Sequence, residues 1–214
     1  MINKLSPLPE FLVTRFKNWK SDSFVKSKEQ YKKLASFGQS PSSMVISCCD
    51  SRVHATSIFG ADAGEFFIHR NIANLVPPYS PDGENHGTSA AIEYATKELK
   101  IKHLIILGHK DCGGIKSAHG LHFNKLNPDY EFINKWLRIL TPAFDNITNG
   151  ISEKKQIEQL EEEGIKISVK NLFTFPYIKK SVEEKKLSIH GIIHNIGSGE
   201  LTFLNPNTKV FEKL

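Results

Sequence analysis

Two short stretches carry side chains able to do metal chemistry. The apolar run Met44-Val45-Ile46-Ser47 ends in Cys48-Cys49-Asp50-Ser51-Arg52, and Leu104-Ile105-Ile106-Leu107 stops at Gly108-His109-Lys110-Asp111-Cys112-Gly113-Gly114. Two thiols and an imidazole, Cys48, Cys112 and His109, make a soft-to-borderline ligand set suited to zinc. A structural zinc site closes with four protein ligands, whereas a catalytic one keeps a position for water. Three ligands beside an acid therefore point to catalysis. Side chains alternate along an extended segment, which places Cys48, Asp50 and Arg52 on one face. His109 and Cys112, three apart across a turn, reach one ion if the chain curls into a helix. A vicinal Cys48–Cys49 disulfide is the strained alternative.

Both stretches read as buried strands that spill reactive groups from their C-terminal ends, where open α/β sheets place their sites. Apolar spacing predicts an amphipathic helix over residues 9–20, with Phe11, Leu12, Phe16 and Trp19 on one side, packed on its own domain or reaching across to a second subunit. A second helix covers 23–37 and ends at Gly38. Strands are predicted at Glu65–His69 and Lys102–Leu107. Between them Thr88–Leu99 is a helix with Ala90, Ala91, Tyr94, Ala95 and Leu99 on one side. The double glycine 113–114 lets the backbone come close to the site, and a helix starts there. Helices follow at 130–144, roughly 150–173 and 176–185. Strands Leu187–Ile196 and Glu200–Asn205, joined by Gly197-Ser198-Gly199, close the chain. The expected fold is α/β: a mostly parallel central sheet with an antiparallel edge strand, helices on both faces and an N-terminal helical arm. The whole of 1–214 reads as one domain, with the arm at 1–38 and a catalytic core at 39–205.

The 214 residues suffice for one sizeable core, and 39% hydrophobic with 24% charged residues is ordinary for a globular protein. The net charge is +5, yet the lysines are scattered beside acids, as in Glu183-Glu184-Lys185-Lys186, so no basic stripe for nucleic acid is expected. No apolar run approaches the roughly 20 residues of a membrane span, and no secretory signal is visible, which makes the cytoplasm the expected compartment. Three cysteines, two of them adjacent, do not form a disulfide framework.

With these motifs in place the chain closely resembles the β-class carbonic anhydrases. Cys48-Cys49-Asp50-Ser51-Arg52 fits the family's Cys-x-Asp-Ser-Arg motif, His109-Lys110-Asp111-Cys112-Gly113-Gly114 its His-x-x-Cys-Gly-Gly motif, and Arg70-Asn71-Ile72-Ala73-Asn74 its Arg-Asn-x-Ala-Asn segment. The similarity runs from about Leu8 to Asn205. It implies one Zn2+ per chain on Cys48, His109 and Cys112, and Asp50 with Arg52 as a catalytic dyad. It also implies reversible hydration of carbon dioxide to bicarbonate and a proton by attack of zinc hydroxide. A homodimer or higher homo-oligomer with active sites at the interface is implied as well. Gln39, Phe67, Ile72 and Tyr94 stand where plant-type members place substrate-pocket residues, with Gly113 offering a backbone N–H. Gln39 in Gly38-Gln39-Ser40-Pro41 makes this look like the plant-type branch. The chain departs from many relatives in Cys49, and in Ile192, Ile193 and His194 following Gly191.

Taken singly, Cys48, Cys112 and His109 read as core residues, Asp50 and Arg52 as a structural salt bridge, and Phe67, Ile72 and Tyr94 as ordinary packing; only their combination argues for a site. His54 is a candidate proton shuttle weighed against an ordinary surface histidine. Two other functions fit the pattern: a carbon disulfide or carbonyl sulfide hydrolase on the same scaffold, and a non-enzymatic zinc scaffold protein. The second is expected to lack Asp50 or Arg52, and both are here.

Overall fold

Strand β1 (Ser43–Cys48) is buried at every residue, as a central parallel strand flanked on both sides must be. Around it a computed structural model, which describes residues 5–123 and 129–214, builds a six-stranded sheet. The other strands are β2 (Phe66–Asn71), β3 (His103–His109), β4 (Ser188–His194), β5 (Leu201–Leu204) and β6 (Phe211–Lys213). Their order is β2-β1-β3-β4-β5-β6. Pairs β1–β2, β1–β3 and β3–β4 are parallel, while β4–β5 and β5–β6 are antiparallel. The fold class expected from sequence is what forms, with one antiparallel strand more. β6 is three residues long, too short for an alternation pattern to show.

The chain divides into two compact units between Ser40 and Pro41. The first holds α1 (Glu10–Ser21) and α2 (Ser23–Phe37), neither with a buried residue. They are held together by an aromatic cluster: Trp19 lies 5.3 Å from Phe24 and 6.1 Å from Tyr31 between ring centroids. Phe11, Leu12, Phe16 and Trp19 remain exposed, Phe11 at 58%.

In the second unit α3 (Ala55–Phe59) covers the face carrying Val45 and Leu107. Helices α4 (Gly87–Lys97), α7 (Glu153–Leu172) and α8 (Pro176–Glu183) cover the face of Met44, Ile46, Leu104 and Ile106. Glycines make room for α7 there. A Cβ on Gly191 would sit 2.6 Å from Ile165, and one on Gly108 2.9 Å from it, so a larger residue would push the helix off the sheet. The buried stripe of α4 is Thr88, Ile92 and Ala95. This is rotated from the expected one, leaving Ala90 exposed and Tyr94 at 48% exposure. Small alanines do not mark a face, and Ile92 supplies the stronger apolar anchor. The helix expected over 130–144 is a short α6 (Ile133–Leu137) running into 3-10 turns at Arg138–Asn146. Pro142 lies inside that second segment and lacks the N–H an α-helix requires. Helix α5 (Gly113–His122) starts at the double glycine as expected.

Candidate metal centre

The ends of β1 and β3 bring Cys48, His109 and Cys112 into one cluster, with ligand atoms all within 4.8 Å of one another. Each has a separate structural reason to be there. Cys48 is the last residue of β1 and His109 the last of β3, while Cys112 caps α5 at its N-terminal end. All three are buried. The Cys48 and Cys112 Sγ atoms lie 3.9 Å apart. Two zinc–sulfur bonds of about 2.3 Å at a near-tetrahedral angle span about 3.8 Å, so the sulfur spacing fits a shared ion. His109 Nδ1 donates to the Lys110 carbonyl at 2.9 Å, which leaves the Nε2 lone pair free. That Nε2 is buried without a hydrogen-bond partner. An orphaned ring nitrogen facing two sulfurs is the signature of a ligand. Of the sulfurs, Cys48 is driven toward thiolate, chiefly by its hydrogen bond with Cys112. The same contact and burial drive the Cys112 thiol upward. Binding a cation to the two sulfurs requires them as thiolates and so releases any proton they hold.

Asp50 and Arg52 meet beside the cluster by a route the extended-chain argument did not foresee. β1 ends at Cys48, so alternation stops there, and a turn closed by Val53 N–H to Asp50 O at 3.0 Å takes over. Arg52 donates from Nε to Asp50 Oδ1 at 2.9 Å and from Nη2 to Oδ2 at 2.8 Å, while its backbone N–H reaches Oδ1 at 3.0 Å. This fork-on-carboxylate contact is charge-assisted and bidentate. The guanidinium holds the Asp50 carboxyl well below the usual carboxylate range. Asp50 Oδ2 stands 3.8 Å from His109 Nε2, so an ionised oxygen faces the same space as the orphaned ligand atom.

Arg70 and Asn71 shape this loop. They lie inside β2, which runs two residues further than expected. The Arg70 guanidinium donates to the carbonyls of Cys48, Asp50 and Val53 at 3.0, 2.7 and 2.9 Å. Asn71 exchanges side-chain hydrogen bonds with the Leu75 N–H and carbonyl at 2.9 and 2.8 Å, clamping a turn in which Ala73 and Asn74 take left-handed φ of 62° and 50°. A non-glycine residue in that region is costly unless its surroundings hold it there.

Phe67 and Tyr94 stack on one another with ring centroids 5.8 Å apart. Ile72 lines an apolar groove of ≈ 930 Å³ together with Cys49, Trp136 and Ile139, and neither Phe67 nor Tyr94 lines it. Gln39 is exposed at the end of the N-terminal unit. The position of Gly113 leaves open space for a Cβ. At Gly114 a Cβ would meet Ile72 at 2.8 Å and Ala73 at 3.0 Å, so Gly114 is the glycine the close approach requires. His54 is exposed and pairs with Thr56.

A protein-family model described as carbonic anhydrase matches residues 43–201. Over 200 residues the chain is 34% identical to "Beta carbonic anhydrase 3" of Arabidopsis thaliana, covering 92% of this chain and 76% of that protein. The chain belongs to the β-class carbonic anhydrases. Among solved structures it is similar to the β-carbonic anhydrase CcaA, with a TM-score of 0.85 and 29% identity over 96% of this chain and 98% of that one. It is also similar to tetrameric β-carbonic anhydrases of the ascomycete Sordaria macrospora, with a TM-score of 0.76 and 30% identity over 92% and 96%.

One side chain at this β-class centre escaped the sequence reading. Glu161 of α7 is 5% exposed and accepts the Cys112 N–H through Oε1 at 3.2 Å. Its signal was present: Glu161, Ile165, Ser168 and Leu172 follow helical spacing on the buried side of α7, an acid on an apolar stripe.

Proposed function

We propose that the chain catalyses reversible hydration of carbon dioxide to bicarbonate and a proton, with one zinc on Cys48, His109 and Cys112. The observation that carries this reading is the Asp50–Arg52 pair set beside the orphaned Nε2 of His109. A scaffold needs the ligands alone; a hydrating enzyme also needs an acceptor that stays ionised at neutral pH. When bound, zinc acidifies water and so supplies a nucleophilic oxygen near neutral pH. Asp50, held as carboxylate by Arg52, can only accept a hydrogen bond and so fixes the direction of the proton donated to it. Arg52 keeps Asp50 turned to itself, and its Nη2 reaches the Asp111 carbonyl at 3.2 Å, tying the acid to the loop between the two later ligands.

Phe67, Ile72 and Tyr94 form the apolar wall for carbon dioxide in this reading, with Gln39 and the Gly113 N–H donating to the oxygens of developing bicarbonate. The same reading takes an assembly of at least two copies with active sites at the interface. The exposed Phe11, Phe16 and Trp19 of α1 are the surface that a second copy covers. One catalytic domain with a helical arm, the plant-type branch and a cytoplasmic setting belong to the same proposal. Among the described residues no helix is long and apolar enough to cross a membrane.

The test is stopped-flow carbon dioxide hydration beside metal analysis of the same preparation. Zinc near one per chain with rapid hydration is the expected result. Sulfide release from carbonyl sulfide or carbon disulfide without carbon dioxide hydration would replace the substrate. Zinc without either activity would leave a scaffold.

A further inference from the structure

The loop joining His109 to Cys112 turns through a left-handed residue. Asp111 has φ 58°, a conformation that aspartate tolerates better than most L-residues. Its peptides are pinned at named points. The Lys110 N–H donates to the His194 carbonyl at 2.9 Å, the Lys110 carbonyl accepts from His109 Nδ1 at 2.9 Å, and the Asp111 carbonyl accepts from Arg52 Nη2. The Cys112 N–H goes to Glu161 Oε1 at 3.2 Å. Three of these anchors belong to the motifs or to the neighbouring strand. Glu161 alone arrives from outside, on the helix packed behind the site.

An acid in that place needs a reason. Burial of a carboxylate is costly, and a serine or glutamine could accept the same N–H. Its second oxygen, Oε2, is buried without a hydrogen bond and stands 3.5 Å from Lys110 Nζ. Lys110 is itself a residue of the loop. Glu161 therefore grips the loop twice: through the hydrogen bond it accepts from the Cys112 amide and through its approach to the Lys110 side chain.

We propose that Glu161 is a positioning residue that sets the third metal ligand and, through the same loop, the carbonyl on which Arg52 rests. The proposal builds on the zinc reading above. Glu161 touches neither metal nor substrate; it acts through the main chain of Cys112. Outer groups that orient ligands in this way typically contribute about 10–100-fold to metal affinity.

The experiment titrates metal-free full-length protein with cobalt(II), reads the visible ligand-field bands, and measures zinc retention against a competing chelator. Glu161→Met fills a similar volume without an acceptor, and Glu161→Gln keeps an oxygen in the same place. The expected result for Glu161→Met is metal affinity about 10–100-fold weaker with altered cobalt bands, while Glu161→Gln retains the wild-type bands and most of the affinity. Glu161→Met with wild-type bands and affinity overturns the role of Glu161 while leaving the zinc reading intact. Wild-type protein that takes up neither cobalt nor zinc overturns both. Should Glu161→Met not fold, hydrogen exchange of the Cys112 amide in the wild type decides: protection comparable to the β3 amides supports the anchor, and exchange at the rate of an open loop refutes it.

Discussion

Asp50 and Glu161 are two carboxylates beside one cluster, and they are pushed in opposite directions. Asp50 lies on a turn with a guanidinium forked onto both oxygens, and that contact drives its carboxyl far down. Glu161 lies on a buried helix face, where desolvation raises its carboxyl while Lys110 and the Cys112 N–H only partly oppose the rise. The same functional group thus acquires two jobs from its surroundings. In the proposed reading one is a charged acceptor facing the reaction space and the other a tether on the Cys112 amide. The difference teaches that proximity to a metal centre does not define a role; the identity and geometry of the partner does.

Removing what both acids serve should have the largest effect. Cys112→Ala leaves two protein ligands, and zinc measured by metal analysis should fall from about one per chain to near zero, with hydration at the uncatalysed rate. Full zinc occupancy in that variant would mean the ligand set is wrong. Next is Asp50→Asn, which keeps shape and loses the obligate acceptor. Zinc should be retained while turnover in stopped-flow hydration drops about 10²–10³-fold, the usual cost of one preorganised group. An unchanged turnover would reduce Asp50 to the same tethering role as Glu161 and end the contrast.

Arg70→Ala tests the scaffold of the Asp50 side alone. Three carbonyls lose their donor, and at about 1 kcal/mol for each net hydrogen bond the chain should lose about 3 kcal/mol in denaturant unfolding. Glu161→Gln should leave this loop untouched.

The smallest effect separates the two acids by pH. For Glu161 the folded state holds its proton more tightly than the unfolded chain. Stability of the metal-free protein should therefore decline as pH rises from about 4.3 through the raised folded value, and Glu161→Gln should flatten that decline. For Asp50 the folded value is depressed. Its contribution is complete above about 3.9 and disappears as pH falls through the folded value, so Asp50→Asn should differ from wild type at neutral pH and converge with it in strong acid. Thermal unfolding of the three proteins from strong acid up to neutral pH is the measurement. Identical profiles for the two variants would show that the opposed environments have no energetic consequence.

The order of strands and helices was legible because β1 and β3 are continuous apolar runs and α7 is long and periodic. β6 and the broken helix around Pro142 were not. The first is too short to carry a pattern, and the second has an apolar stripe at α-helical spacing that does not reveal its 3-10 turns. The ligand triad and the Asp50–Arg52 pair were readable because thiols, imidazole and carboxylate in ordered motifs have few other uses. The route by which Asp50 reaches Arg52 was misread, since alternation holds only while the strand lasts and β1 stops at Cys48.

Residue identity and spacing by themselves determined the chemistry available: two sulfurs, one imidazole and an acid beside an arginine at the ends of two buried strands. Which hydrogen bonds those groups make was decided only by the tertiary structure. Arg70 crosses from β2 to hold the Asp50 loop, Gly114 admits Ile72 and Ala73, and Glu161 reaches the Cys112 amide from 49 positions away. The physical reason is range. A motif records neighbours along the chain, whereas orientation at a metal centre comes from side chains that packing delivers from elsewhere.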